Sequence, residues 1–500
     1  MNDHMHCADL GDGTYKNPII FGGFGDCTIL KDGKDYFMTY GGGGARGSLM
    51  LHSQDLVNWE PLYHALKNQE TRYWAPEMVK VGDTYYIYNF TPTTNPHWNY
   101  GDLVVMTTKD IWHGPWSEPK IMARNIPVID PGHVVGEDGK RYLYMSTNLM
   151  YKLTDDGLDI ASDLIRVYPD WPIPEEWDVE GLCTESPKFT WHDGGLYLLL
   201  AEGGTAGPPT SHCAVAMRSK SAQGPWEISP YNPIKHTFSK DETWWSKGHG
   251  TLVEGPDGKQ WYMMYQGFLK DHRNTTGKAT LMEPIEWTDD GWFRVCQDSR
   301  DDEPIPMPKG GSKVENKLHM SDEFAKRELG LQWYPSDLTM ADERISFVDG
   351  GLKMISEGSC AEGSAPLLCR RENVSLEVIA ELTADWYAGG GICFAGGGKI
   401  CAIAVEQGKI KVFNDGMRWM RNRENIIDCE SSSWDGTHIF LKLVNREDVI
   451  SPWYSYDGKD WKKINMCFDT ATWRRNVMPG LLCYGAGKTV FHRFIYKGLD

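Results

Sequence analysis

The chain has 500 residues, too many for one hydrophobic core, so two or three domains are expected. Its apolar and charged fractions, 41% and 24%, are those of an ordinary globular protein. The formal net charge of −18 disfavours nucleic acid as a partner, because its phosphates would be repelled, and no apolar run approaches the roughly 18 residues of a membrane span.

The twelve cysteines lack both the Cys-x-x-Cys spacing of zinc ribbons and the density of a small disulfide-rich domain. They are therefore expected to be free thiols in a reducing compartment. The N-terminal stretch "MNDHMHCADLGDGTYKNP" has no basic region followed by an apolar region, so it predicts no secretory signal. A cytoplasmic location is favoured, although a secreted or periplasmic protein whose signal had been removed would look the same.

Short β-rich runs punctuated by Gly, Pro and Asp predict an all-β domain over residues 1–300. One plan recurs five times there: a polar residue, a short strand, a Gly/Asp hairpin turn and a Tyr/Trp-rich strand. The repeat length of about 50 to 65 residues is close to that of propeller blades and predicts a five-bladed β-propeller. The segments are "DCTILKDGKDYFMTYGG" from Asp26, "WAPEMVKVGDTYYIYNF" from Trp74, "IDPGHVVGEDGKRYLYMST" from Ile129, "TESPKFTWHDGGLYLLLAEGG" from Thr184 and "GHGTLVEGPDGKQWYMMYQGF" from Gly248.

The texture of the chain changes after the fifth repeat. Residues 301–318 lie in a polar stretch with Pro and Gly and are predicted to form a linker. Residues 319–500 return to alternating patterns such as "LEVIAELTADWYAGGGICFA". Antiparallel strands with one buried face are typical of a β-sandwich, here expected to be concanavalin- or lectin-like.

The innermost strands of a propeller begin at the same face, so the residues that open them are expected to converge on the axis. Taken singly, an Asp before a strand most often caps a turn, but recurrence in separate blades favours a site. Three carboxylates in one cleft repel each other, and at least one is pushed toward its protonated form. An ionised base beside a neutral acid is what glycoside hydrolysis requires. The converging residues are Asp26, Trp74, Asp130, Glu185 and His249, with Glu77 expected to be structural and inside its strand.

At these residues the sequence resembles glycoside hydrolase family 43, the five-bladed propeller family of β-xylosidases and α-L-arabinofuranosidases. The resemblance rests on "GDGTYKNPIIFGGFGD", "SQDLVNW", "WAPE", "IDPGHVVGEDGK", "TESPKF", "AEGGT" and "GHGTLV", spread in family order over the first 300 residues. The stretch from Ser321 also resembles the C-terminal β-sandwich of two-domain, xylosidase-type members.

The resemblance implies three catalytic roles. Asp26 corresponds to the general base that activates water, Glu185 to the general acid, and Asp130 to the aspartate that orients the acid and adjusts its pKa. The family inverts configuration, which implies that the base and acid carboxyl groups lie about 6.5–9.5 Å apart. Glu185 is expected to hold its proton at neutral pH because Asp26 and Asp130 are nearby.

The resemblance also implies substrate contacts. Trp74 corresponds to the platform for the terminal sugar, Thr205 to a substrate-contacting position, and His249 to an axial histidine that lies near calcium or water in some members. Where the family commonly has an arginine, this chain has Lys278, and Arg273 is a candidate to replace it. The Gly41–Gly44 run and the stretch "GTAGPPTSHC" are further departures that bear on sugar specificity.

The sequence thus predicts an inverting exo-glycosidase that removes terminal pentosyl residues, β-D-xyloside or α-L-arabinofuranoside, from plant-type oligosaccharides. Another glycan such as a galactan, or a propeller that only binds sugar, remains an alternative. No cofactor is required. A structural calcium near the axis is left open, with His249 as its candidate ligand, although one histidine is a poor calcium signature. Homo-oligomerisation is also left open.

Overall fold

The computed structural model describes residues 3–41, 48–65, 73–92, 100–335, 340–414, 424–428 (backbone only), 435, 437–473 and 476–500. Nearly all regular structure in these residues is β-strand, and its helical parts are a π-helix at Met340–Arg344 and a 3-10 turn at Ala361–Gly363. None of the helical segments described is long and apolar enough to cross a membrane. The prediction of an all-β propeller followed by a β-sandwich is confirmed.

A short strand, β1 (Thr14–Tyr15), precedes five antiparallel sheets, one for each repeated segment of the sequence. In every sheet four strands follow one another in chain order. The sheets are β2 (Thr28–Asp32), β3 (Asp35–Thr39), β4 (Leu49–Ser53), β5 (Glu60–His64); β6 (Glu77–Val81), β7 (Thr84–Pro92), β8 (Gly101–Thr108), β9 (Lys120–Ile126); β10 (Gly132–Val135), β11 (Arg141–Met145), β12 (Leu149–Lys152), β13 (Ile165–Arg166); β14 (Thr184–His192), β15 (Gly195–Glu202), β16 (Cys213–Ser219), β17 (Glu227–Ile228), with β18 (Lys235–His236) also on β16; and β19 (Trp244–Glu254), β20 (Trp261–Leu269), β21 (Lys278–Trp287), β22 (Phe293–Val295).

The first strands of these sheets form a closed ring. Strand β2 contacts β6, β6 contacts β10, β10 contacts β14, β14 contacts β19, and β19 returns to β2. The segment before β2 also pairs with the last sheet, because Ile20 bridges Thr280 and the Phe24 N–H donates to the Lys278 carbonyl at 2.9 Å. The entry to Asp26 is therefore fixed beside Lys278.

Two larger antiparallel sheets make up the C-terminal region, after β23 (Ile305–Pro306), which pairs with β1. One has the order β24-β27-β37-β29-β30-β31-β32, and the other β25-β26-β38-β28-β33-β34-β35, with β36 on β34. The strands are β24 (Trp333–Pro335), β25 (Ile345–Val348), β26 (Gly351–Ile355), β27 (Leu367–Cys369), β28 (Leu376–Ala384), β29 (Ala388–Gly396), β30 (Lys399–Glu406), β31 (Lys409–Asn414), β32 (Glu424–Asp428), β33 (His438–Arg446), β34 (Val449–Ser455), β35 (Lys462–Lys463), β36 (Phe468–Asp469), β37 (Met478–Gly485) and β38 (Lys488–Gly498).

The two regions bury their strands differently, as their sequences indicate. In β28 every second residue is buried, so that Leu376, Val378 and Leu382 face the sandwich core while the residues between them are partly exposed. In β15 the run from Leu196 to Glu202 is buried without alternation, because neighbouring sheets of the ring cover both faces.

The propeller and the sandwich share one hydrophobic cluster, which includes Phe24 and Tyr40 on one side and Trp333 on the other. A polar network centred on Asp448 adds to this contact. Its carboxylate accepts hydrogen bonds from Thr275 (2.7 Å) and Arg371 (3.0 Å) and lies 2.8 Å from His272 Nδ1. The sandwich thereby holds the propeller segment that leads into β21 and Lys278.

Candidate active site

Four ionisable side chains from four different sheets or their entries meet at the axis of the ring. His249 Nε2 lies 3.2 Å from Asp130 Oδ2 and 3.5 Å from Asp26 Oδ1. Polar atoms of Asp130, Glu185 and His249 all lie within 4.8 Å of one another. The structure therefore brings together the three predicted carboxylates and the predicted histidine.

The backbone is unusual at these positions. Asp26, Asp130 and His249 have φ angles of 54°, 55° and 53°, and Ser186, which follows Glu185, has a φ of 56°. Residues other than glycine seldom adopt this left-handed conformation, and each such residue costs about 1–3 kcal/mol. The same irregularity at four entries to the axis indicates that the fold holds these side chains in a required orientation.

The site residues occupy different positions along their strands. Asp26 and Asp130 precede β2 and β10, whereas Glu185 is the second residue of β14, where the pairing with β15 shifts register. His249 lies inside β19, within the second of two further register shifts, the one between Gly248 and Thr251. These bulges turn side chains out of the regular strand alternation and toward the axis.

The expectation that Glu77 lies inside its strand is wrong, because Glu77 is the first residue of β6. Its carboxylate is buried and pairs with the Lys188 ammonium at 2.5 Å, while the His133 N–H donates to it at 3.3 Å. Burial raises the pKa of Glu77, and the charge of Lys188 opposes that rise. These contacts are those of a structural ion pair next to the axis.

Asp26 is held by Lys278, whose ammonium donates to both carboxylate oxygens at 2.6 and 2.8 Å. The Asp26 N–H donates to the Gln266 side chain at 3.0 Å. Burial alone would raise the pKa of Asp26, but the charges of Lys278 and His249 and the hydrogen bond from Lys278 lower it to about 2. Asp26 is therefore ionised throughout the neutral range, as a general base must be.

Lys278→Met is expected to raise the pKa of Asp26, because burial would then act without its main opposing charge. If Asp26 acts as the base, the acid limb of the pH profile of kcat/KM moves to higher pH. Lys278→Arg keeps the charge and is the matched control, in which the limb stays near its wild-type position. An unchanged acid limb in Lys278→Met would contradict this role of the ion pair.

Asp130 and His249 form the centre of the cluster. Burial raises the pKa of Asp130, the contact with His249 opposes this, and the charges of Glu185 and Asp26 add to the rise. Burial lowers the pKa of His249, but the carboxylates of Asp26 and Asp130 outweigh it and the net shift is upward. The other ring nitrogen, Nδ1, shares a hydrogen bond with the Ser186 hydroxyl at 2.8 Å.

The expectation that Glu185 itself holds a proton because of its acidic neighbours is wrong in the substrate-free protein. Burial alone would raise the pKa of Glu185, but a hydrogen bond with His212 and the positive charges of His212, His249 and Lys278 lower it. His212 Nε2 lies 3.1 Å from Glu185 Oε1. Among the three axial carboxyl groups Asp26, Asp130 and Glu185, the one with the raised pKa is Asp130.

The remaining predicted substrate contacts have well-defined partners of their own. Trp74 is partly exposed, its ring centroid is 5.4 Å from that of Phe90, and its backbone faces Gly41. The Arg273 guanidinium donates to the carbonyls of Thr205 and, at 2.7 Å, Gly207. Lys278, and not Arg273, makes the contact with Asp26, while Gly42–Gly44 of the predicted glycine run lie outside the described residues.

The residues present fit a calcium ion poorly. Calcium takes six to eight oxygen ligands, whereas the axial group offers two carboxylates and one imidazole. Both nitrogens of that imidazole, on His249, already contact Ser186 and Asp130. An axial calcium stays an open prediction.

Sequence reasoning missed His212 and Ser186. His212 lies in the stretch "GTAGPPTSHC", whose only apparent feature in the sequence is its departure from the family pattern. A single His before a strand does not by itself predict a functional site. Its contact with Glu185 depends on β14, β15 and β16 lying side by side, which sets the strand ends next to each other.

Comparison with known proteins finds similar sequences and structures. The sequence model described as "Glycosyl hydrolases family 43" matches residues 15–293. A β-xylosidase from Formosa agariphila is 28% identical over 65% of this chain and 59% of its own length. A non-reducing end α-L-arabinofuranosidase from Bacteroides ovatus is 28% identical over 66% of this chain and 62% of its own length. The chain thus spans about three fifths of these two relatives.

Other similar proteins extend over nearly the whole chain. A β-xylosidase from Bacillus subtilis is 23% identical over 91% of both sequences. The crystal structure of a family 43 protein from Bacillus licheniformis superposes with a TM-score of 0.81 at 24% identity, covering 97% of this chain and 100% of the other. At this identity the structural likeness establishes the fold, which includes the C-terminal sandwich.

Proposed function

The chain belongs to glycosyl hydrolases family 43, and on that basis we propose that it is an inverting exo-glycosidase acting on terminal pentosyl residues of plant-type oligosaccharides. The observation that carries the proposal is the meeting of Asp26, Asp130 and Glu185 around His249 on strained backbone at the propeller axis. A site that only binds sugar has no need of three carboxylates whose pKa values are driven apart.

In the proposed reaction Asp26 is the general base. Its low pKa keeps it ionised, so it takes a proton from a water molecule as that water attacks the anomeric carbon. Glu185 is the general acid and gives a proton to the leaving oxygen as the glycosidic bond breaks. One water is consumed, the sugar leaves with inverted configuration, and the step ends with a proton on Asp26 and an ionised Glu185.

Asp130 is proposed to orient this machinery. It is buried beside His249, and its negative charge would favour a proton on Glu185 when substrate excludes water from the site. Burial is the main cause of the raised pKa of Asp130, and the negative charges of Glu185 and Asp26 add to it. The binding of substrate is therefore expected to change which of these side chains carries a proton.

The substrate class rests on the relatives, which are named β-xylosidase and α-L-arabinofuranosidase. Trp74, Thr205, His249, Arg273 and Lys278 are proposed to contact the sugar. Lys278 binds Asp26 through its ammonium group and so orients the base. A lysine cannot make the planar, bidentate contact of an arginine. Experiment has to decide whether the hydrolysed sugar is a pentose or the galactose unit of a galactan.

The test is a panel of nitrophenyl pentosides and hexosides, assayed with wild type and with Asp26→Asn. We expect turnover on β-D-xyloside or α-L-arabinofuranoside and a loss of about 10³-fold or more in Asp26→Asn, because general-base catalysis contributes about 10²–10⁴-fold. Proton NMR of the first-formed sugar reports whether configuration inverts.

The control is Asp83→Asn, which changes an acid that is 85% exposed at the β6–β7 turn and is expected to be silent. Equal rates in wild type and Asp26→Asn would remove Asp26 as the base. Hydrolysis of a galactoside alone would move the substrate to a galactan, and sugar binding without any turnover would overturn the enzyme in favour of a sugar-binding protein.

A further inference from the structure

A buried histidine, His212, contacts the proposed acid and has no place in the roles assigned above. Its side chain is 0% exposed, and it lies just before β16. Nε2 lies 3.1 Å from Glu185 Oε1, and Nδ1 lies 3.2 Å from the Ser246 carbonyl oxygen. Both ring nitrogens are therefore engaged, each with a different kind of partner.

The two partners determine where protons are located. A carbonyl oxygen has no proton to give, so the contact with Ser246 requires Nδ1 to be the donor. With Nδ1 protonated, Nε2 in a neutral ring is an acceptor, and an ionised Glu185 is an acceptor too. The short contact between Nε2 and Oε1 then requires one proton between them, carried either by His212 or by Glu185.

The surrounding chain is built to keep the ring in this position. A Cβ on Gly248 would lie 2.4 Å from His212 Nδ1, so only glycine leaves room for the ring. Ser246 has a φ of 51°, and its N–H donates to the Pro209 carbonyl at 2.8 Å. The strained segment that supplies His249 to the cluster thus also supplies the carbonyl that fixes the tautomer of His212.

We propose that His212 is the positioning residue for Glu185 and that the two side chains hold the catalytic proton as a pair. In the substrate-free protein the proton lies on His212 beside an ionised Glu185. On reaction it moves from Nε2 to Oε1 and on to the leaving oxygen, which leaves His212 neutral and Glu185 ionised. Asp26 then releases to solvent the proton that it took from the attacking water, and His212 takes one up from solvent, so atoms and charge balance over the cycle. This inference rests on the proposed function.

The pairing explains how an acid with a lowered pKa can still protonate a leaving group. The proton absent from Glu185 is one hydrogen bond away, because His212 Nε2 lies 3.1 Å from Glu185 Oε1. The charged groups around the pair are Asp26 and Lys278 at the base and Asp130 and His249 at the axis, while burial lowers the pKa of the neighbouring His236.

The test compares His212→Gln with His236→Gln. His236 is the matched control, a buried histidine of the same sheet whose Nε2 binds the Thr210 carbonyl at 2.7 Å. Each variant is assayed on a nitrophenyl and a methyl glycoside of the sugar that wild type hydrolyses. A nitrophenolate leaves with little protonation, whereas methoxide needs an acid.

For His212→Gln we expect kcat/KM to fall by about 10²-fold or more on the methyl glycoside and by less than about tenfold on the nitrophenyl glycoside, with an altered basic limb of the pH profile. If the role of His212 were purely structural, kcat/KM would fall by the same factor on both substrates, as expected for His236→Gln. Equal losses, or an unchanged pH profile, would overturn the inference, whereas a wild type inactive on every glycoside would instead overturn the proposed function.

A second measurement keeps the inference testable where His212→Gln does not fold. In ¹⁵N-histidine-labelled wild type, His212 is expected to show a protonated Nδ1 and an Nε2 signal that changes in Glu185→Gln. An unprotonated Nδ1, or an Nε2 signal identical in the two proteins, would contradict a proton shared with Glu185.

Discussion

Glu185→Gln is expected to lower kcat on substrates with poor leaving groups by about 10³-fold, within the range that general acids contribute. Glutamine keeps the size of the side chain but cannot transfer a proton. The loss should shrink toward tenfold on nitrophenyl glycosides, whose leaving group departs as an anion. Steady-state assays on a series of aglycones of increasing pKa would therefore give a steeper dependence for the variant than for wild type.

The matched control for this series is Glu227→Gln on β17, in the same sheet, where the side chain is 63% exposed and pairs with Arg218. Its dependence on the leaving group should match that of wild type. A uniform loss across all aglycones in Glu185→Gln would contradict the acid assignment, because only the protonation step distinguishes one leaving group from another.

Lys188→Met is expected to cost about 3–5 kcal/mol in the free energy of unfolding. The Lys188 and Glu77 side chains are only 6% and 8% exposed, so removing the ammonium leaves a buried carboxylate without its counter-charge. Lys188 also donates to the Pro76 carbonyl at 2.9 Å, and this acceptor would lose its partner. Equilibrium unfolding in urea, followed by tryptophan fluorescence, measures the loss.

Two further variants separate charge from packing. Glu77→Gln combined with Lys188→Met removes both charges and should recover part of the stability, because no isolated buried charge remains. Lys140→Met breaks an ion pair with Asp155 whose side chains are 59% and 84% exposed, and it should change little. If Lys188→Met were as mild as Lys140→Met, the buried pair would not be stabilising.

Local signals in the sequence were enough to predict the repeated sheets of the propeller and the acidic residues at its axis. Asp-Gly and Gly-Asp turns mark hairpins directly, and recurrence of an acid at the same place in several repeats identifies Asp26, Asp130 and Glu185. Glu77 was placed inside its strand because the extent of pairing at a strand end depends on the neighbouring strand, which a single segment does not reveal.

The electrostatics of the site could not be predicted in the same way. Lys278 is 252 residues from Asp26, and its direct contact with that carboxylate depends on the closure of the ring. His212 is 27 residues from Glu185 and meets it across an intervening strand. Counting carboxylates predicts a proton on Glu185, whereas these cations reverse the shift of its pKa and leave Asp130 with the raised value.

The cluster shared by Phe24, Tyr40 and Trp333 has a consequence for engineering with this protein. A cut between the propeller and the sandwich would expose apolar surface on both fragments and would separate Asp448 from its propeller partners His272 and Thr275. Neither fragment is then a portable unit, and chimeras that exchange the sandwich between relatives must carry across the complementary surface of the propeller as well. Exchange of domains between related proteins is therefore limited by this interface between propeller and sandwich, and not by the chemistry at the axis.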